Sequence, residues 1–271
     1  MENKTAQIRL PFWETVRRSF MYVLTNFDVY LKVTALWFAI ILYEMFTDFP
    51  SICNLSAEGC TGGWMQNVSI LLLMLASIAI VIAFCRVIVL KVPSSYFSWA
   101  FGKREIVYLL YNILLIAIIT LPSIVLIFSW AYFGRMLGMP EGFYNVSLII
   151  PLLLAIYFSR LFLVFPAIAV DDRKMTLKAS FKLAEGNANK IFWGQILMTL
   201  PVVLLMALLS IIFKLIGSDG YVVRFVFVLL VFALSFLDSC FKASFFAHIY
   251  QYFTFYRDKA EENKEKSNPR V

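Results

Sequence analysis

The chain has 271 residues, of which 61% are hydrophobic and 15% are charged, and its mean hydropathy is +0.80. Soluble domains average about 45–50% apolar and about 25% charged residues, so this composition excludes a soluble protein and indicates an integral membrane protein. Basic residues exceed acidic residues by 24 to 17. The basic residues are divided among short loops and no nucleic-acid-binding module is recognisable, so we expect anionic lipid and not nucleic acid as the partner.

Six apolar stretches, each long enough to cross a hydrocarbon core, follow one another along the chain. The predicted fold is therefore all-α, a polytopic bundle of six transmembrane helices in one domain, residues 1–258. Residues 259–271 are strongly charged and are predicted to form a disordered cytoplasmic tail. The six predicted spans lie near residues 33–49, 66–88, 106–132, 145–165, 193–215 and 221–247.

Basic residues lie before the first span, between the second and third, between the fourth and fifth, and after the sixth. Because Lys and Arg beside a span resist translocation, these segments are predicted to be cytoplasmic, with both termini on that side. Only Arg135, Lys214 and Arg224 fall on the opposite side. The predicted location is the inner membrane of a bacterium.

The four cysteines fall into two settings. Cys53 and Cys60 lie in the first outer loop, where an oxidising compartment would allow a disulfide between them. Cys85 and Cys240 lie within spans and are interpreted as small apolar residues of the core. The sequence contains no CxxC motif and no Cys/His cluster, so we expect neither a metal site nor a cofactor.

Two segments share one polar and apolar pattern: TVRRSFMYVLTNFDVYLK at residues 15–32 and TLKASFKLAEGNANKIFW at residues 176–193. In both, apolar residues recur at spacings of 4, 3, 4 and 3, which predicts an amphipathic helix lying in the membrane interface on the cytoplasmic side. A basic row at Lys174, Lys178 and Lys182 begins just before the second segment and continues into it. This row is a candidate site for anionic lipid headgroups.

Each of these segments ends in a polar elbow, residues 25–28 in the first and residues 186–189 in the second. Asn, Asp and Gly are common at helix ends, and Gly186 in particular is predicted to end a helix. Either elbow alone could be an ordinary helix boundary, formed by residues that commonly end one helix and cap the next. Their matching position favours a repeated unit that turns an interfacial helix into a spanning helix.

Further recurring fragments favour three parallel repeats, residues 1–90, 91–170 and 171–258. The third and fifth spans share the tripeptide TLP, with Pro122 and Pro201 predicted to kink their helices. Every repeat begins on the predicted cytoplasmic side, so the repeats would be related by an axis along the membrane normal.

Three cations lie near the cytoplasmic ends of the second, fourth and sixth spans: Arg86, Arg160 and Lys242. One interpretation is that they extend separately to lipid phosphates. The other is that they converge on one pocket for an anionic headgroup or solute. Asp238 precedes Lys242 by four residues and could neutralise it, and Pro166 follows Arg160 by six.

The segment RLFLVFPAIAVDDRKMTLKASFKLAEGNANKIFWG resembles the membrane domain of bacterial glycerophosphodiester phosphodiesterases and related inner-membrane proteins. The resemblance rests on Arg160, Pro166, the pair 179–180, Gly186 and Trp193. It implies a six-span fold. The chain has no segment resembling the catalytic domain to which some of these proteins are fused, so the resemblance implies no activity.

We expect no enzymatic activity, because His248 is the only histidine and the spans contain few carboxylates. His248 is interpreted as a structural residue. The function predicted is a non-catalytic membrane protein that binds anionic lipid, a membrane-protein partner or a second copy through its basic interfacial helices. The alternative is a small transporter or channel for an anionic or lipid-like solute.

Overall fold

The computed structural model describes residues 9–53, 64–93, 102–139, 149–216 and 220–267, and every regular element in these ranges is helical. The predicted disulfide joins Cys53, the last residue of a described range, to Cys60, which lies outside the described residues. The helices in chain order are α1 (Phe12–Thr25), α2 (Phe27–Cys53), α3 (Trp64–Leu90), α4 (Lys103–Met136), α5 (Ile149–Phe158), a 3₁₀ segment (Ser159–Leu163), α6 (Val164–Ala169), α7 (Leu177–Leu183), α8 (Ala188–Ile216) and α9 (Tyr221–Ser267).

Five helical stretches in the described ranges are long and apolar enough to cross a membrane, and a sixth is added if α1 and α2 count as one bent span. The prediction of an all-α polytopic membrane protein is confirmed. The two helices of that pair meet at 69°, because the chain turns at Asn26. There the backbone N–H and the side-chain Nδ2 both donate to the Tyr22 carbonyl oxygen, at 3.1 and 2.9 Å.

Five of the long elements form a ring in which each contacts the next, in the order α9, α3, α4, α5 and α8. Helix α2 packs against α3 and α9, while α1 lies across α9 and α8. Within their most apolar windows, α4 and α8 bury only 11% of their residues against 44% for α3. The apolar side chains that α4 and α8 expose are suited to contact with lipid.

The fourth predicted span is interrupted in the structure. Helix α5 ends at Phe158, a 3₁₀ turn follows, and α6 continues to Ala169. Two side-chain hydroxyls bond the backbone at this break and at the start of α8: Ser159 Oγ donates to the Ala188 carbonyl oxygen at 2.8 Å, and Ser180 Oγ donates to the Arg160 carbonyl oxygen at 2.7 Å. These contacts tie the break to α7 and α8, which a hydropathy pattern does not show.

One end of the bundle carries most of the described basic residues, and we call it the basic face: residues 9–25, 86–93, 102–105, 170–190 and 250–262. Helix α9 continues from this face through residues 259–267, where the sequence predicted a disordered tail. The helical conformation there is consistent with the spacing of oppositely charged residues three positions apart, such as Lys259 and Glu262.

The residues that were predicted to end or kink helices lie at the following positions. Gly186 adopts a φ of +77° in the turn that follows α7, three residues after the helix ends at Leu183, so its role in ending that helix stays a prediction. Pro122 and Pro201 lie inside α4 and α8, which continue through both, and Pro166 lies within α6. The kinks at Pro122 and Pro201, and the three-repeat layout, stay predictions.

Candidate anionic site at the basic face

The turn between α6 and α7 is built around two adjacent aspartates. Asp171 has a φ of +60°, a left-handed conformation that is costly for most residues and less so for Asp. The amide of Asp172 donates to the Ala167 carbonyl oxygen at 2.9 Å, which closes the turn. This geometry points the two carboxylates toward different helices.

Asp172 attaches the turn to α9. Its Oδ2 accepts from the Tyr250 hydroxyl at 2.6 Å and from Arg257 at 3.0 Å, and its Oδ1 accepts from the Lys174 amide at 2.9 Å. Burial raises the pKa of Asp172, but these hydrogen bonds outweigh that effect, so its pKa lies below the ordinary value. Both carboxylate oxygens are therefore occupied.

Asp171 attaches the same turn to α4 and α3. Its Oδ2 accepts from Arg104 Nε at 2.6 Å and lies 4.0 Å from Arg86. Arg86 also donates to the Ala169 carbonyl oxygen at 3.2 Å. The hydrogen bond from Arg104 holds the pKa of Asp171 below its usual value, although the carboxylate is about half exposed.

A groove of about 690 Å³ opens beside this turn, between the start of α4 and α6. Its walls include apolar side chains from both helices, and its rim carries charged residues. The apolar residues are Val107, Tyr111, Val164, Ala167 and Ile168, and the basic ones are Lys103, Arg104 and Arg173.

The carboxylates lining this groove already have partners. Glu105 accepts from the Gly102 amide at 2.8 Å, and Asp171 and Asp172 are paired as described above. Lys103 and Arg173 are exposed and make no salt bridge within the described parts of the chain. The groove therefore combines an apolar wall with two exposed cations that make no salt bridge in the described ranges.

The predicted basic row lies next to this groove. Lys178 and Lys182 are exposed on α7, whose apolar side chains Leu177 and Phe181 are half-buried. Lys174 is also exposed, but it precedes α7 and lies in the aspartate turn. The helix starts at the Thr176 N-cap, so only two of the three predicted lysines share a helical face.

The three cations predicted near span ends have three separate sets of partners. Arg86 contacts Asp171 and the Ala169 carbonyl oxygen. Arg160 lies 5.3 and 5.1 Å from the rings of Tyr157 and Phe181, and its Nε is buried without a hydrogen-bond partner in the described residues. Lys242 pairs with Asp238 at 2.6 Å, as the spacing predicted. Within these ranges the structure does not bring the three together in one headgroup pocket.

His248 is buried where α9 meets α1. Its Nδ1 lies 2.8 Å from the Ser244 carbonyl oxygen, which can only accept, so Nδ1 carries the proton. The Ser244 hydroxyl in turn donates to the Ser19 carbonyl oxygen at 2.9 Å. His248 itself contacts α1 through Ser19 Oγ, which lies 3.3 Å from its Nδ1, so it has a part in attaching α1 to the bundle.

A second attachment joins the start of α1 to the second elbow. The Leu10 amide donates to Asn187 Oδ1 at 2.9 Å, and Lys190 Nζ donates to the Leu10 carbonyl oxygen at 2.7 Å. Both backbone groups of one residue are thus bound by side chains about 180 residues away in the chain. The sequence around Asn187 indicates only a helix boundary and gives no sign of this contact.

Comparison of the chain with protein-family models, curated proteins and solved structures found no match. The resemblance to the membrane domain of glycerophosphodiester phosphodiesterases therefore stays a prediction. The fold and the geometry of the site carry the functional argument.

Sequence analysis also missed the roles of Lys103, Asp171, Asp172 and Arg173. A signal was present, because two adjacent carboxylates follow the apolar run RLFLVFPAIAV without a gap. Acidic residues at a membrane boundary rich in Lys and Arg are expected to form ion pairs. Their partners come from three other helices, and the sequence does not identify them.

Proposed function

We propose that the chain is a non-catalytic integral membrane protein that binds an anionic phospholipid in the groove between α4 and α6. The observation that supports this most is the pairing pattern at the groove. Its carboxylates are occupied by protein donors, whereas Lys103 and Arg173 remain exposed beside an apolar wall. An anionic headgroup with an attached acyl chain has the complementary chemistry.

The position of the groove suits a lipid. It lies at the start of α4, beside helices whose apolar faces are exposed, so an acyl chain could lie along Val107 and Tyr111. A basic residue near an anionic membrane surface contributes about 1 kcal/mol of attraction. Lys178 and Lys182 on the neighbouring helix would add to the local positive potential.

We further propose that the basic face is cytoplasmic and that the protein lies in the inner membrane of a bacterium. The asymmetry of basic residues supports this orientation. Labelling of single cysteines introduced at Lys182 and Lys214 with a membrane-impermeant reagent in intact cells tests it. Labelling at Lys214 alone is expected, and labelling at Lys182 alone would reverse the orientation.

Native mass spectrometry of the purified full chain tests lipid binding. We expect phosphatidylglycerol to bind and phosphatidylcholine to bind much more weakly. Lys103→Gln with Arg173→Gln should weaken phosphatidylglycerol binding roughly 5- to 30-fold, the equivalent of about one to two kcal/mol.

The matched control is Arg135→Gln with Lys214→Gln, which removes the same charges from exposed positions at the other ends of α4 and α8. This control should bind phosphatidylglycerol like the unaltered protein. Equal losses in both variants would show a general charge effect and contradict the groove, as would equal binding of the two lipids.

Transport of a small solute is the second candidate function. The observation that favours it is the ring of five long helical elements, with polar side chains of α3, α4, α8 and α9 around a cavity inside it. Uptake of a labelled solute into proteoliposomes, compared with protein-free liposomes, tests this function. Equal uptake in the two preparations would count against it.

A further inference from the structure

A second cavity, of about 380 Å³, lies inside the ring of helices and is separate from the lipid groove. Helices α3, α4, α8 and α9 all contribute to its lining. Its polar lining residues include Ser77, Asn112, Thr199, Ser235, Asp238 and Lys242. The volume lies at the lower end of the range of about 300–1,000 Å³ for ligand pockets, so a small ligand would fill it.

The cavity lies well inside the membrane. Asn112 follows Arg104 by eight residues on α4, and Lys242 and Asp238 precede Tyr250 by eight and twelve residues on α9. At 1.5 Å per residue these offsets place the cavity about 12–18 Å from the ionic contacts of the basic face. A hydrocarbon core is about 30 Å thick, so the cavity is near its middle.

The two side chains of the ion pair in this cavity leave some of their hydrogen-bonding positions without partners. Lys242 and Asp238 are 33% and 19% exposed, and Asp238 is the one salt-bridge partner of Lys242 in the described chain. The second oxygen of Asp238, Oδ1, is buried without a hydrogen-bond partner among the described residues. Lys has three N–H donors and a carboxylate has about four acceptor positions, so both partners keep hydrogen-bonding capacity.

The hydroxyl groups that line the cavity present acceptors. Ser77, Thr199 and Ser235 each donate their proton to the backbone carbonyl oxygen four residues earlier, at 2.9, 3.2 and 2.8 Å. Their remaining lone pairs are available to a ligand with N–H groups. Asn112 can supply donors, because its side-chain amide makes no hydrogen bond in the part of the chain that the structure describes.

We propose that this cavity binds a small zwitterion that carries a primary ammonium group and a carboxylate. The ammonium group contacts Asp238 and the hydroxyl acceptors, and the carboxylate contacts Lys242 and Asn112. The ligand thus forms two ion pairs in place of the single pair between the side chains. This proposal does not depend on lipid binding in the groove, and it requires binding and not transport.

Charge balance is the reason for a zwitterion. The lining contributes one negative and one positive side chain, so a ligand of zero net charge leaves the cavity neutral. A ligand with only an ammonium or only a carboxylate would leave one charge uncompensated inside the membrane, which is costly. An apolar ligand would leave Asp238 Oδ1 and the remaining lone pairs of the hydroxyl groups without partners.

Isothermal titration calorimetry of the full chain in lipid nanodiscs tests the proposal with three probes: β-alanine, propylamine and propionate. The last two are the cationic and anionic halves of the first. We expect β-alanine to bind at least tenfold more tightly than either half. No measurable binding of β-alanine, or equal binding of the three, would overturn the proposal.

The test variant is Asp238→Asn with Lys242→Met, which removes both charges and therefore leaves no unpaired charge in the cavity. It should lose at least tenfold in affinity for β-alanine. The control is Asp28→Asn with Lys32→Met, because Asp28 and Lys32 form the same i,i+4 pair at 3.3 Å on α2, outside the cavity. Unchanged affinity in the Asp238 variant, with β-alanine binding intact, would place the ligand elsewhere and overturn the assignment.

The two proposals can fail separately. Lys103→Gln with Arg173→Gln should weaken lipid binding and leave β-alanine affinity unchanged. The Asp238 and Lys242 variant should do the opposite. Loss of both ligands in either variant, with an unchanged melting temperature, would contradict two independent sites.

Discussion

Asp172 and Asp238 are both carboxylates paired with a basic side chain of α9, but the contacts that they make in the structure differ. Asp172 lies in the turn after α6 and uses both oxygens to bind groups on α9 and in its own turn, including Tyr250 and Arg257. Asp238 pairs with Lys242 on its own helix and leaves one oxygen without a partner in the described residues. The pair of Asp172 with Arg257 joins segments that are distant in the chain, whereas the pair of Asp238 with Lys242 lies within one helix.

This difference separates stabilising ion pairs from those available for function. When an ion pair holds distant segments together, that contact offsets part of the free-energy cost of desolvating the two charges. A pair within one helix inside the membrane has the same desolvation cost but holds no distant segments together. Asp238 and Lys242 therefore add little to tertiary stability, and the unpartnered oxygen of Asp238 leaves them available to the proposed ligand.

The largest effect is expected for Asp172→Ala. This change removes the acceptor of Tyr250 and leaves Arg257 without that partner, so we expect the free energy of unfolding to fall by about 2–3 kcal/mol. Unfolding by SDS in mixed micelles measures it. Asp171→Asn is the control, because that carboxylate is 53% exposed and should cost less than about 1 kcal/mol. Equal losses would remove the distinction between the two aspartates.

Acid should weaken the same contacts. The pKa values of Asp171 and Asp172 are lowered in the folded state, so their contribution to stability is present above the unfolded value of about 3.9 and is lost as the pH falls below it. Melting temperatures measured from pH 7 to pH 2 should drop in this range. The drop should be smaller in Asp172→Asn, and an identical profile would show that this carboxylate does not carry the effect.

A smaller effect is expected at the second elbow. Asn187→Ala removes the acceptor of the Leu10 amide and should lower the free energy of unfolding by about 1–2 kcal/mol. Hydrogen exchange at the Leu10 amide should become faster. The neighbouring Asn189 is exposed and serves as the control. Equal acceleration in Asn189→Ala would show that exchange does not report the contact to Asn187.

The smallest effect is expected for Asp238→Asn with Lys242→Met. If this pair holds no segments together, the free energy of unfolding should change by less than about 1 kcal/mol in either direction. SDS unfolding without added ligand measures it. A loss as large as that in Asp172→Ala would make the pair structural and end the contrast between the two regions.

Local patterns in the sequence predicted much of the fold. Long apolar stretches predicted the spanning helices, because each satisfies its backbone hydrogen bonds within itself. Gly186 was predicted to end a helix, because a left-handed conformation is easiest for Gly. The break at Ser159 was not predictable, since its partner Ala188 lies in another helix.

The candidate sites were only partly predictable. The i,i+4 pairing of Asp238 and Lys242 follows from helix geometry, so the sequence was sufficient. The convergence of Arg86, Arg160 and Lys242 was inferred from similar depth. The structure gives them separate partners, and it also gives Arg86 and Lys242 different depths. Arg86 contacts Asp171 at the basic face, whereas Lys242 lines the inner cavity about two helical turns from that face.

The sequence by itself determined that this is a helical membrane protein with basic segments, turns at Asn26 and Gly186, and an ion pair within α9. These features depend on composition and on neighbours a few residues apart. Only the tertiary structure decided which carboxylates are occupied and which cations are free. Those outcomes depend on contacts such as that of Asp172 with Arg257, which join residues 85 positions apart.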